Sequence, residues 1–372
     1  MSFPGAILPA WGYHLRDDFT VVGHYFLAMA IGTLLSVKAG PALLVRKDVR
    51  TVLTWAAGLA CFSFIWLAVF SPPSFWGWRM AGLLFMGLGA GLLNSAAFQS
   101  ISSFYERDPA ATVNLAGAMF GLGCLTSALL ISTTFYIYTV RSLLILMAMI
   151  PGFAAALYWR SRFPVPVAHS DQGWRQVWAD VKSPGAVMFT LLLFFQFGNE
   201  WTIAGWLPIF LVHRIGASPD STLFMLAAFW LSLLVGRTMA QALLPRVGHG
   251  KLLLASAASA VLGCTILIAT NNRFGAWIGL LLVGGGFAMI YPLVVEKIGH
   301  RFPNYHPGFF NGLFSFGNTG GLLAPWLVGY LTHYFGIWTA MAVPMMGSFM
   351  VFLLVLLVWL EAILTASSKK PA

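Results

Sequence analysis

Apolar residues run along this chain in long unbroken blocks. They cover 21–45, 52–70, 76–104, 110–138, 142–159, 186–212, 221–244, 252–270, 274–295, 308–332 and 337–364. Each block approaches or exceeds the roughly 20 residues that a helix needs to cross a hydrocarbon core. Membrane barrel strands need only about 10 residues and alternate in character. The blocks therefore predict eleven complete helical spans, whose backbones satisfy their own hydrogen bonds as lipid demands. A shorter apolar block, FPGAILPAWGYHL (3–15), reaches only about 20 Å as a helix. It is expected to be the later part of a first span whose beginning is missing, with a short interfacial segment as the alternative. No basic stretch precedes it, so a signal peptide is not expected.

The polar intervals organise the spans. The longest, RSRFPVPVAHSDQGWRQVWADVKSPG, falls near the middle and divides six spans from six, counting the partial one. A short amphipathic helix is expected there around Trp174–Lys182. The expected units are a first bundle over 1–160, a linker over 161–185, a second bundle over 186–364 and a tail over 365–372. The two bundles repeat each other. ALLVRKDVRTVL (42–53) aligns with ALLPRVGHGKLLL (242–254), and GLGAGLLN (87–94) with GGGFAMIY (284–291). Asn114 with FGLG (120–123) aligns with Asn311 and FGNTG (316–320). Three matches in one order, at offsets of 196–200, point to a duplicated bundle, and such repeats mark transporters with a site between the halves.

Composition agrees. The chain is 59% hydrophobic and 9% charged, against about 25% charged in a soluble domain. That excludes a soluble enzyme, a disordered regulator and a disulfide scaffold. The net charge of +10 suggests nucleic acid until the charges are placed. With both termini cytoplasmic, 14 of the 21 Lys and Arg fall on the cytoplasmic side and 5 outside. The excess is the positive-inside signal of a multi-pass inner or plasma membrane protein, not a nucleic-acid footprint.

Several segments carry a family resemblance. GPALLVRKDVR follows the second span, with Gly40, Arg46 and Arg50, and Arg246 and Lys251 occupy the matching loop of the second half. Together with the 6+6 pattern and the long central loop, this resembles the major facilitator superfamily. The resemblance implies an all-α bundle of twelve helices with pseudo-two-fold halves. Leu44 stands where the family carries an acid that helps latch one closed state. FGNEWTIAGWLPIFL (197–211) and AAFWLSLLVGR (227–237) are similar to the seventh and eighth helices of the fucose:proton symporter and hexose carrier branch.

Ionisable groups inside lipid cost at least about 2.5–3.5 kcal/mol each and need a reason. Glu200 is the one acid near mid-depth, 14 residues into its span, and Gln196, Asn199 and Glu200 share a face at i, i+3, i+4. A carboxyl in a low-dielectric interior can load and release a proton; the alternative is a structural pair with Arg237 or Lys38. Arg237 is a charge partner or gate, or else snorkels to the interface. Asn94, Gln99, Asn114, Asn311 and Asn318 offer donors and acceptors that suit sugar hydroxyls, or serve as interhelical glue. Trp206, Trp230 and Tyr291 offer flat apolar faces beside those amides, or simply pack. No metal cluster, catalytic triad, nucleotide loop or cofactor motif is seen.

The expected function is secondary transport of a small polar solute, a sugar first, coupled to protons, with sodium as the other candidate ion. The chain is expected to work as a monomer in the bilayer. An efflux carrier for amphipathic compounds is the alternative, and a membrane enzyme or non-transporting scaffold the remote one.

Overall fold

A computed structural model describes residues 2–12, 18–101, 109–163, 184–301 and 307–367. Twelve helices occupy them: α1 (Ser2–Trp11), α2 (Phe19–Arg46), α3 (Val49–Val69), α4 (Trp76–Ser100), α5 (Pro109–Thr134), α6 (Val140–Arg160), α7 (Pro184–Ile215), α8 (Pro219–Val247), α9 (His249–Ala269), α10 (Arg273–Arg301), α11 (Pro307–Phe335) and α12 (Thr339–Ser367). Ten of them have the length and hydropathy to cross a bilayer. The expected linker helix near 174–182 lies outside the described residues, as do the side chains of Asn114 and Asn311.

Among the described residues, short turns reverse the chain between α2 and α3, α3 and α4, α5 and α6, α7 and α8, α8 and α9, α9 and α10, and α11 and α12. Between α8 and α9 the turn needs only Gly248, at φ +81°, and between α11 and α12 it uses Gly336, at φ +94°, a region that L side chains rarely adopt. Asp18 caps α2 by accepting from the Thr20 N–H at 3.1 Å. We call the end holding the α3–α4, α5–α6 and α7–α8 turns the upper end, and the opposite end the lower.

The pairings within α1–α6 recur within α7–α12. Helix α2 packs on α4 as α8 does on α10, α3 on α4 as α9 on α10, and α3 on α6 as α9 on α12. The glycine matches are where this repeat is built. Gly87 lies against the α2 backbone at Met29 and Thr33, and Gly89 against α3 at Ala56 and Ala60. In the second half Gly284 lies against α8 at Phe229 and Ser232, and Gly286 against α9 at Ser256 and Ala260. A side chain at any of these four would push two helices apart, so the repeat conserves a packing requirement.

Two seams join the halves: α2 with α11, and α5 with α8. Helix α1 adds a third contact by lying along α7, where Gly5 meets the backbone of Ala204 and Gly205. At the upper end the α2/α11 seam holds Tyr330 Oη on His24 Nε2 at 2.8 Å and His333 beside Asp18 at 3.7 Å. At the same end of the other seam, Ser132 donates to the Asp220 carbonyl at 3.0 Å and Tyr136 to the Asp220 carboxylate at 3.1 Å. The halves are thus drawn together at the upper end.

Candidate solute site

Helix α7 carries the polar residues that the sequence singled out, and the structure sends them in different directions. Asn199 is buried and turns into the second half: it donates to Ser348 Oγ at 3.4 Å and fills the space beside Gly347 on α12. Its amide ties α7 to α12. Trp206 is also enclosed, its indole N–H donating to the Pro325 carbonyl at 3.0 Å, with Phe19 and Phe26 of α2 around the ring. Both are spoken for by packing.

Glu200 and Gln196 differ. They stand one turn apart on α7 and are both buried, Gln196 completely. Neither Nε2 nor Oε1 of Gln196 meets a partner among the described residues. An unpaired buried amide costs about 1–3 kcal/mol per group, so this one is retained at a cost that a polar ligand would relieve. Glu200 makes no hydrogen bond or close ion pair within the described residues, and the charge acting on it is the Arg237 guanidinium.

Arg237 of α8 is 8% exposed and does not run to the surface. Its Nη1 donates at 2.8 Å to the carbonyl of Gly117 on α5, in the other half. Gly117 leaves the space that the guanidinium occupies. Arg237 Nε and Trp230 Nε1 are both buried without a partner among the described residues. Gln196, Glu200, Trp230 and Arg237 therefore leave donors and acceptors unspent on α7 and α8, and of these Arg237 and Trp230 meet α5 of the first half.

Aromatic rings complete this region. Phe120 of α5 meets Trp201 of α7 edge to face at 5.5 Å and Trp230 at 5.9 Å. Trp201 and Trp230 lie 6.4 Å apart. Tyr291 of α10 contacts Phe197 of α7 at 5.4 Å. Trp201 and Phe120 escaped the sequence reading. Aromatics are frequent in every span, and position along a helix does not tell which ring reaches the other half. The signal that existed was adjacency, since Trp201 follows Glu200.

The remaining candidates lie apart or are open. Asn94 and Asn318 are exposed, on α4 and α11, and Gln99 is half-buried on α4. Of the loop motif, Gly40 packs against Ser95, Arg50 lies over the Trp159 ring at 5.1 Å, and Arg46, Arg246 and Lys251 are exposed at the lower end. Arg79, one of the five basic residues counted on the outer side, lies in the first turn of α4 and is 4% exposed. It donates to Tyr25 Oη at 2.7 Å and to the Ser74 carbonyl at 2.9 Å, with its guanidinium 5.7 Å from the rings of Trp11 and Tyr25. Ring faces and neutral acceptors hold the charge there.

The sequence profile of the Major Facilitator Superfamily matches residues 1–325. The chain belongs to that superfamily. Over 354 residues it is 22% identical to the glucose/mannose transporter GlcP of Bacillus subtilis (strain 168), covering 89% of this chain and 84% of that one. Among solved structures, it superposes on the E. coli fucose:proton symporter FucP with a TM-score of 0.62 at 18% identity, covering 95% of each chain. On the nucleoside transporter NupG the TM-score is 0.67 at 12% identity, covering 100% of this chain and 97% of that one. This membership makes the chain a multi-pass membrane transporter of a small-molecule solute rather than an enzyme.

Proposed function

We propose that this transporter carries a monosaccharide of the hexose class together with a proton, by alternating access between its halves. The observation that carries this reading is the set of unspent polar atoms around α7 and α8: the Gln196 amide, the Trp230 indole N–H, Arg237 Nε and the Glu200 carboxyl. A sugar hydroxyl both donates and accepts, so it can pair with each of them. The named relatives are a glucose/mannose transporter and a fucose:proton symporter, which supports the same class.

Glu200 is the proton carrier in this reading. Arg237 holds Gly117 of the other half through Nη1 while it acts electrostatically on Glu200. A change in charge at Glu200 therefore alters the pull on the side chain that ties α8 to α5. The lower end, rich in Lys and Arg, is cytoplasmic with both termini, and the upper end faces outside. The closed upper seams then belong to a state that faces the cytoplasm.

Reconstitution tests the substrate class. Proteoliposomes with an imposed inward proton gradient are expected to accumulate D-glucose, D-mannose or L-fucose. The aromatic lining favours a second reading, an efflux carrier for amphipathic compounds. Proton-driven transport of hydrophobic dyes without hexose accumulation would select it.

A further inference from the structure

We propose that Trp201 is the platform on which the sugar ring stacks, and that Phe120 is a plug that covers it in the empty carrier. This inference rests on the reading of the chain as a sugar carrier. Three aromatic rings meet where α5 faces α7 and α8, Trp201 following Glu200 along α7, and they differ in ways that assign their roles. Trp230 is fully buried and fixed within α8 against Phe229 at 5.2 Å. Trp201 is only partly buried, so part of its indole stays accessible. Its place is set by Gly321 of α11, where any Cβ would run into the indole. Phe120 is the third ring and comes from the other half. It is 43% exposed and touches both tryptophans edge to face.

The apolar C–H face of a pyranose is flat and close to the size of a six-membered aromatic ring. It can take the place against an indole that Phe120 now holds. Trp201 and Trp230 move together with the second half, whereas Phe120 leaves with α5 when the halves rock. One edge-to-face contact is weak enough for a ligand to displace. Phe120 thus stands in for the sugar: it holds the place beside the indole in the empty carrier and competes with the substrate for it. Stacking also gives a basis for specificity. A closed ring presents a flat C–H face, while the open-chain alditol, with six hydroxyls of matching configuration at C2–C4, does not.

The test is half-saturation of D-glucose exchange in proteoliposomes, with D-glucitol as competitor. The wild type is expected to favour glucose over glucitol by more than about tenfold, the contribution of a well-stacked ring. Trp201→Ala should weaken glucose by about tenfold, bring the two ligands to near parity and leave glucitol almost unchanged. Trp201→Phe should keep part of the preference. Phe120→Ala should tighten glucose by about threefold, because the competing ring is gone. If Trp201→Ala does not assemble, Trp201→Phe decides, with an unchanged glucose-to-glucitol ratio overturning the platform. Loss of glucose affinity in Phe120→Ala would overturn the plug. A wild type that carries dyes but no hexose would remove the sugar reading and this inference with it. Hexose transport with an unaltered ratio in the Trp201 variants would remove this inference alone.

Discussion

The two seams between the halves occupy equivalent positions in the repeat, yet they are built from different chemistry. The α2/α11 seam is a backbone contact. Gly23 and Gly329 bring the two helices together, and the polar pairs His24–Tyr330 and Asp18–His333 lie close by at the upper end. The α5/α8 seam starts with similar upper-end pairs at Asp220 but continues deeper, through Phe120 on Trp230, to Arg237 on Gly117. Duplication supplied two matching crossings. One became a close-fitting latch, and the other took in the aromatic and charged groups of the candidate site.

That contrast can be broken at several points. The largest effect is expected at the latch backbone. A Cβ on Gly23 would lie 2.9 Å from the Trp326 carbonyl oxygen, and backbone cannot step aside as a side chain can. Gly23→Leu should hold the upper end apart and cut sugar exchange by more than about tenfold, as overpacking of about 1–3 kcal/mol implies. Spin-label distances between the upper ends of α2 and α11 would lengthen. Next comes Arg237→Ala, which removes the bond to Gly117 and leaves Glu200 without its facing charge. Exchange is expected to fall about tenfold, in line with about 1.5–3 kcal/mol for a hydrogen bond to a charged group. Arg237→Lys should recover part of it in the same assay.

Smaller effects are expected at the rim of the latch. Tyr330→Phe deletes one hydrogen bond, worth about 1 kcal/mol. It should shift the two-state balance about fivefold towards upper-end opening, read from the same spin-label distances. Asp18 has the smallest role. Its bond with the Thr20 hydroxyl is the main cause holding its carboxyl below the ordinary range. A lowered folded-state pKa means that its stabilising contribution is full above the ordinary carboxylate pKa and is lost as the pH falls through the lower folded value. Asp18→Ala should cost about 1 kcal/mol as a lost helix cap. It should also flatten the acid side of the melting curve measured against pH.

The fold was legible because lipid imposes simple rules. Long apolar blocks gave helices α2 to α12, and the glycine repeats marked where α4 meets α2 and α3 and where α10 meets α8 and α9. Glu200 was legible for the same reason, as a lone acid in apolar surroundings. What the sequence could not convey was direction around each helix. Gln196, Asn199 and Glu200 share a face by spacing, yet Asn199 is captured by Ser348 and Gly347, because α12 packs against the Asn199 edge of that face. Trp206 shares α7 with Trp201, but Pro325 and α2 enclose the first while the second, between Gly321, Trp230 and Phe120, stays partly open. Counting charges gave Arg79 a side of the membrane but not its burial, because counting cannot see Tyr25 and Trp11 closing over it.

The central claim is that Glu200 carries the proton that drives transport, and one comparison tests it most directly. Wild type and Glu200→Gln are reconstituted side by side and given radiolabelled D-glucose, first at equal concentration on both sides and then under an inward proton gradient. Glu200→Gln is expected to exchange sugar at equal concentrations and to lose gradient-driven accumulation. Accumulation by Glu200→Gln at the wild-type level, with proton uptake intact, would contradict the account.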